Sequence, residues 1–165
     1  MAGRFSWRTQ SCCADSRSET LNPTITLRPA RRDDQPFLLT LRRASMGPHL
    51  QAARMPCDED AHLSRIRHGF EHAAIIMEGE RDIGLLKVAR RLPTWQLIQL
   101  QLLPDRQGRG LGAQLLRGLQ REAEQAGAAL ELSVLERNPA RRLYLRLGFV
   151  NIRHADGEFL MRWSA

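Results

Sequence analysis

The sequence predicts an α/β sandwich, with helices packed on both faces of a mixed sheet of about seven strands. Three observations carry that reading. The chain has 165 residues, the length of one domain. Its apolar residues recur with period 2 in some segments and 3.6 in others. Glycine, proline and aspartate punctuate the points where the period changes.

Each element follows from its own pattern. Thr24–Pro29 alternates Ile25 and Leu27 against Thr24, Thr26 and Arg28, which reads as a strand. Asp33 or Asp34 then caps a helix carrying Phe37, Leu38, Leu41 and Ala44 on one face. That helix is expected to reach about Met46 and to stop at Gly47-Pro48. Asp58 opens a second helix, with Ala61, Leu63, Ile66 and Phe70 in phase. Ala73–Met77 is a short apolar run ending in the turn signal Glu78-Gly79-Glu80. Ile83–Ala89 and Trp95–Leu103 follow as strands about a turn at Pro93. Gly110–Ala126 is a helix with Leu111, Leu115, Leu116, Leu119 and Ala123 on one side and Gly127 as its C-cap. Leu130–Leu135 is a β-rich run, and Asn138 caps a short helix to Leu147, stopped by Gly148. Phe149–His154 and Glu158–Trp163 close the domain as a hairpin about Asp156-Gly157.

Residues 1–23 differ: they are rich in Ser and Arg and lack an apolar h-region. They read as a flexible N-terminal extension rather than a secretory signal, and 24–165 as a single domain. No stretch of about 18 apolar residues free of charge occurs, so no membrane span is expected. The three cysteines, Cys12, Cys13 and Cys57, form neither a disulfide framework nor a zinc spacing, which points to a reducing, cytoplasmic setting. The formal charge is +7, and of 25 basic residues only Lys87 is lysine. Such an arginine excess is read first as composition and second as a sign of an anionic partner.

The informative stretch joins a strand to a helix: Leu100–Gly112, containing Gln107-Gly108-Arg109-Gly110-Leu111-Gly112. Glycines at alternate positions clear side chains from backbone N–H groups, and the following helix adds unpaired donors and the positive end of its dipole. Arg106 and Arg109 add charge. The result is a phosphate or pyrophosphate site. It is not a Walker loop, because no Gly-Lys-Ser/Thr follows. Gly108, Gly110 and Ala113 also fit the dinucleotide pattern, with Glu136 as the ribose acid. That motif comes late in the chain, and its glycines stand four residues from the strand.

The loop resembles the Q/R-x-x-G-x-G/A signature of the GNAT superfamily of acetyl-CoA-dependent N-acyltransferases. A second element, Asn138-Pro139-Ala140-Arg141-Arg142-Leu143-Tyr144 with Leu147-Gly148-Phe149, resembles that family's N-x-A-x-x-L-Y-x-x-L-G-F motif. The likeness spans about Thr24 to Trp163. It implies a GNAT-like, mostly antiparallel sheet, and acetyl-CoA as co-substrate. It further implies that the loop Gln107, Gly108, Arg109, Gly110, Leu111 and Gly112 cradles the pyrophosphate. Leu102 and Leu103 would pair with the pantetheine arm, and an N–H near Leu102 would hold the oxyanion. Asn138 would contact the cofactor arm. Tyr144, the one tyrosine in the chain, would be the general acid that protonates the departing thiolate. On its own helical face, with Ala140, Leu143 and Leu147, Tyr144 also reads as an ordinary core aromatic.

The family's usual carboxylate base on the fourth strand is missing: Trp95–Gln101 contains no Asp or Glu. Gln96 or Gln99 could order a water there but cannot take a proton, so Glu71, Glu78, His49 or solvent are the alternatives. The resemblance also implies that the first two helices and the loop Met46–Cys57 form one wall of the acceptor cleft, with His49, Gln51, Arg54 and Asp58 as polar candidates. The expected activity is N-acetyl transfer to an amine on a small molecule or peptide, with no nucleic acid, membrane or metal partner; a homodimer is left open. The alternatives are a non-catalytic acyl-CoA-binding module and a Rossmann-like nucleotide binder. His68-Gly69-Phe70-Glu71-His72 matches an inverted zinc-protease pattern, but Gly69 weakens the helix that pattern needs. Arg141, Arg142 and Arg146 are expected on the outer side of the last helix, where the cofactor's 3′-phosphate or solvent would meet them.

Overall fold

The computed structural model describes residues 24–165. The N-terminal extension, with Phe5, Trp7, Cys12 and Cys13, lies outside the described residues. Seven strands form one sheet in the order β1-β2-β3-β4-β5-β7-β6. They are β1 Ile25–Pro29, β2 Ala73–Glu78, β3 Arg81–Ala89, β4 Thr94–Leu102, β5 Ala129–Leu135, β6 Val150–Ala155 and β7 Glu158–Trp163. Every neighbouring pair is antiparallel except β4 and β5. A parallel pair needs a crossover, and α3 (Leu111–Gln125) supplies it. The mixed, mostly antiparallel sheet expected from the sequence is therefore present.

Helices cover both faces. α1 (Gln35–Ala52) and α2 (Glu59–Arg67) bury Leu38, Leu41 and Ile66 on Ile75 and Leu85. On the other face α3 and α4 (Ala140–Arg146) bury Leu116, Leu119, Ala123 and Tyr144 on Leu86, Val88, Leu97 and Leu132. The start of α1 is tied to the sheet by Arg28, which donates to Asp34 at 2.8 and 2.9 Å and to Asp82 at 2.8 Å. This holds the Asp34 carboxyl below the usual carboxylate range, through the Arg28 hydrogen bond first. Among the described residues, no helix is long and apolar enough to cross a membrane.

α1 corrects one expectation. It continues through Gly47-Pro48 to Ala52 rather than ending near Met46. The helical bond from Ala53 N–H to His49 C=O still forms at 3.0 Å, and Leu50 is 5% exposed. Burial of that last turn outweighs the donor lost at Pro48. Phe70 likewise leaves α2: the helix ends at Arg67, His68 is extended, and Gly69 has φ +63°. His68 and His72 therefore do not share a helical face.

β4 changes face at a bulge. Its ladder to β3 pairs Lys87 with Gln99 and Val88 with Leu97, skipping Ile98. Trp95 and Leu97 thus join the α3 side, whereas Gln99 and Gln101 turn toward α1 and α2. The pairing of β4 with β5 ends at Leu97 and Leu132, and beyond it the two strands part.

Lys87 stands on the same face as Gln99 and is 0% exposed. Its ammonium donates to the carbonyls of Arg65 (3.2 Å), Ile66 (2.7 Å) and His68 (2.9 Å), at the C-terminal end of α2. These are carbonyls that a helix end leaves unpaired. A compact ammonium can reach all three, which a planar guanidinium cannot, so lysine persists here in a chain that otherwise uses arginine. Burial, with Arg65 and Arg42 nearby, pushes the group down to about 8. Lys87→Met should cost about 2–3 kcal/mol in urea unfolding, because it leaves the carbonyls buried and unpaired. The folded protein releases this proton at lower pH than the unfolded chain does. The wild type should therefore gain on the variant from about pH 8 to pH 10.5.

Candidate functional site

The loop after β4 is built by local hydrogen bonds. Leu103 N–H donates to Ile83 C=O at 2.9 Å, still on the β3 side. By strand alternation the N–H of Leu102 points the other way, into the gap where β5 has departed. Pro104–Arg106 makes a single 3-10 turn, and the Gln107 side-chain amide returns to donate to Leu102 C=O at 2.9 Å. Gly108 (φ +71°) and Gly110 (φ +79°) then turn the chain into α3. Both sit in the left-handed region, where a Cβ is costly.

The first α3 bond runs from Gln114 N–H to Gly110 C=O at 3.0 Å. The N–H groups of Leu111, Gly112 and Ala113 precede it and have no helical partner. No acidic residue lies in that first turn. These donors, the dipole end of a 15-residue helix and the bare glycines form an anion cradle. A Cβ on Gly112 would lie 3.3 Å from Leu143 Cδ2, so glycine there lets α3 approach α4.

A cleft of about 360 Å³ runs along this cradle. Of the residues singled out in the sequence, Leu102, Gln107, Gly108, Gly110, Gly112, Asn138 and Tyr144 line it. Leu103, Arg109 and Leu111 do not: Leu103 packs toward the α1–α2 core, Leu111 toward the α3 core, and Arg109 is exposed. Arg106 also departs from its expected role. Its guanidinium is held by Glu78 at 2.7 Å and Asp105 at 3.0 Å and is 15% exposed. It pins the turn to the end of β2 instead of facing a phosphate. Of the three arginines near α4, Arg146 lines the cleft, while Arg141 lies over the Phe159 ring at 4.0 Å.

Asn138 Oδ1 accepts the Ala140 N–H at 2.9 Å, which opens α4 and leaves the amide NH₂ to donate elsewhere. Six residues on, Tyr144 is 8% exposed and packs edge-to-face on Phe149 at 5.7 Å. Burial pushes its hydroxyl up to about 12. The phenol is thus protonated across the neutral range, and its OH has no hydrogen-bond partner among the described residues.

A second cleft, also about 360 Å³, opens on the α1–α2 side of the same gap. The two clefts share Met46, Leu100, Gln101, Asn138 and Tyr144. Tyr144 therefore lies at the junction of the two clefts. The second cleft contains Arg42, Arg65, Gln99 and Glu158, of which the sequence singled out only Gln99, as a residue that could order a water. Glu158 begins β7, opposite Leu135 of β5, and is a carboxylate of the kind missing from β4. A smaller apolar cavity of about 160 Å³ between β1 and α3 has no orphaned buried polar group among the described residues, and its Arg90 and Glu122 pair at 3.1 Å.

Comparison with known proteins agrees with this fold. The model of the acetyltransferase (GNAT) domain family matches residues 69–151, a span that includes both the glycine loop and Tyr144. No curated protein matches the chain at a significant level. Among solved structures, the chain resembles a PaiA N-acetyltransferase from Thermoplasma acidophilum in complex with coenzyme A. The TM-score is 0.69 at 17% identity, over 86% of this chain and 99% of that one. It also resembles an acetyltransferase from Agrobacterium tumefaciens, with TM-score 0.68 and 19% identity over 95% and 100% of the two chains. A third likeness is the ribosomal-protein-S18-alanine N-acetyltransferase from Escherichia coli, with TM-score 0.62 and 22% identity over 84% and 92%. At these identities the structural likenesses speak to the fold alone.

Proposed function

The chain belongs to the acetyltransferase (GNAT) family, and from that premise we propose that it moves an acetyl group from acetyl-CoA to a primary amine by direct transfer. The observation that carries this reading is the meeting of two clefts at Tyr144, one of them walled by an anion cradle. The free N–H groups at the start of α3, with Gly108 and Gly110, take the pyrophosphate. The Asn138 amide takes the amide-bearing arm, and the Leu102 N–H, the donor that alternation turns into the gap, faces the thioester carbonyl. Bound there, acetyl-CoA supplies the activated acyl group.

Tyr144 donates a hydrogen bond to the leaving sulfur. Glu158, across the acceptor cleft, accepts the proton of the attacking amine. Two carboxylates weighed from the sequence are placed less well for that task. Glu78 is paired with Arg106 at 2.7 Å, and Glu71 is 69% exposed and lines neither cleft. His49 lines the donor cleft and not the one that holds Glu158.

Acetyl-CoA at about 100 times its Kd should raise stability by about 2.7 kcal/mol, or roughly 5–10 °C in Tm. Thermal unfolding reads this directly. CoA release against a library of amines then separates a transferase from a module that binds acetyl-CoA without turnover. No shift at millimolar acetyl-CoA overturns the reading.

A further inference from the structure

We propose that the acceptor amine carries an anionic group, a carboxylate or a phosphate monoester, and that Arg42 and Arg65 bind it. This names the substrate class of the site above and rests on the acetyltransferase reading.

Unpartnered polar groups concentrate in one place. Arg42 is 8% exposed, Gln99 7% and Gln101 6%. Arg42 Nε, both amide atoms of Gln99 and Gln101 Oε1 are buried without a hydrogen-bond partner among the described residues. All three side chains line the acceptor cleft. Proteins rarely leave such groups unpaired, and a buried guanidinium without an acid is the costliest of them. The charge that acts on Arg42 makes matters worse. Arg65, from α2, lines the same cleft and repels Arg42, and burial with that repulsion pushes Arg42 down to about 10. Among the described residues, the Arg65 guanidinium has only a long contact to Ile98 C=O, at 3.4 Å. Lys87, whose group also feels both arginines, adds a third cation beneath them.

Two helices thus bring two guanidiniums to one wall, over a floor of uncharged amides. The part-buried Arg28 and Arg106 have acids, Asp34 with Asp82 and Glu78, and Arg141, whose Nε is also unpartnered, lies over the Phe159 ring. Arg42, the one fully buried arginine among the described residues, has neither, and it lies in the cleft that meets Tyr144. A guanidinium fork matches carboxylate and phosphate oxygens, and the Gln99 amide can add a donor. Glu158 lines the same cleft from β7. A cationic wall and a separate carboxylate orient a ligand that bears both an anion and an amine. Met46, Leu50 and Met55 supply the apolar side.

The experiment uses matched acceptors with acetyl-CoA saturating and CoA release as readout: 4-aminobutanoate against butylamine, glycine against glycinamide, and O-phosphoethanolamine against ethanolamine. In at least one pair the anionic member should show kcat/KM higher by roughly 30- to 100-fold. The pair that responds tells carboxylate from phosphate. Arg42→Gln and, separately, Arg65→Gln should remove that preference while leaving the Kd for acetyl-CoA unchanged. Equal or better use of the neutral member in all pairs overturns the proposal, as does a loss in the variants that falls on both members alike. A second readout needs no turnover. With CoA bound, N-acetyl-4-aminobutanoate should raise the Tm of the wild type but not of Arg42→Gln, and N-butylacetamide should raise neither. If no acyl-CoA binds and no amine is acetylated, the transferase reading fails; the Tm response to the anionic probe without CoA then decides the anion site by itself.

Discussion

Tyr144→Phe should lower kcat by about 10²- to 10³-fold while changing the Kd for acetyl-CoA by less than about twofold. The variant removes one oxygen and keeps the ring that packs on Phe149 at 5.7 Å. That oxygen has no hydrogen-bond partner among the described residues, so thermal stability should hold. What is lost is the donor at the junction of the two clefts. Its acidity says how it acts. Burial sets the phenol at about 12, whereas an ordinary thiol sits near about 8.5. Full proton transfer to a thiolate is therefore uphill by roughly 5 kcal/mol before the active site closes. The phenol then acts first as a hydrogen-bond donor that steadies the developing thiolate; the amine's proton goes to Glu158 and from there to solvent, which protonates the released thiolate. Because the folded-state value is raised, the donor persists to high pH. A pH profile of kcat should rise as the amine loses its proton and should not fall below about pH 11. A tyrosine at its ordinary value would begin to fall near about pH 10. A Phe variant that keeps half of kcat would move the role to another group, and one that loses CoA affinity would make Tyr144 structural.

The donor side was legible because its signals are local. Three glycines, a strand before them and a strongly amphipathic helix after them lie within one stretch, and Asn138 and Tyr144 lie within another. Charge was less informative than geometry. Arg106 looked like a phosphate ligand from its position in the loop, but its partner Glu78 is 28 residues away in sequence. No spacing rule could pair them. The length of α1 was misread for a related reason, since a Gly-Pro breaker is a local signal and the burial of Leu50 is not. The acceptor side was legible only in outline: the resemblance implies a wall from the first two helices, but its polar candidates His49, Gln51, Arg54 and Asp58 do not line the second cleft. Its polar residues come from α1, α2, β4 and β7, which meet only in the fold. Simple alternation along β4 would put Gln99 and Gln101 on the same face as Trp95 and Leu97. The bulge at Ile98 sends them to the opposite one. Two signals were in plain view: one lysine in an arginine-rich chain, and a glycine inside a strand.

That glycine is Gly84, and Gly84→Ala should be among the most damaging single-methyl changes in the domain. Glycine within a strand often marks a close backbone approach. Here a Cβ would lie 2.4 Å from the Gln101 carbonyl oxygen, 2.9 Å from Leu102 Cδ2 and 3.0 Å from Ile76 Cδ1. The nearest of these atoms is backbone, so no rotamer change can relieve the overlap. β3 and β4 must separate where Gly84 pairs with Leu102. Overpacking of this kind costs about 3 kcal/mol, which should appear as a Tm lowered by roughly 6–12 °C. The damage should also reach the donor site. Leu103 N–H is anchored on Ile83, and Gln107 is anchored on Leu102, so moving this end of β4 moves the glycine loop with it. The folded fraction of the variant should therefore bind acetyl-CoA about tenfold more weakly. Gly47→Ala is the matched control. It lies inside α1, where a Cβ meets nothing within 4 Å. It should leave acetyl-CoA affinity unchanged and add about 0.5–1 kcal/mol of stability. Equal Tm values for Gly84→Ala and the wild type would mean that the two strands are not in the close contact that sets the loop in place.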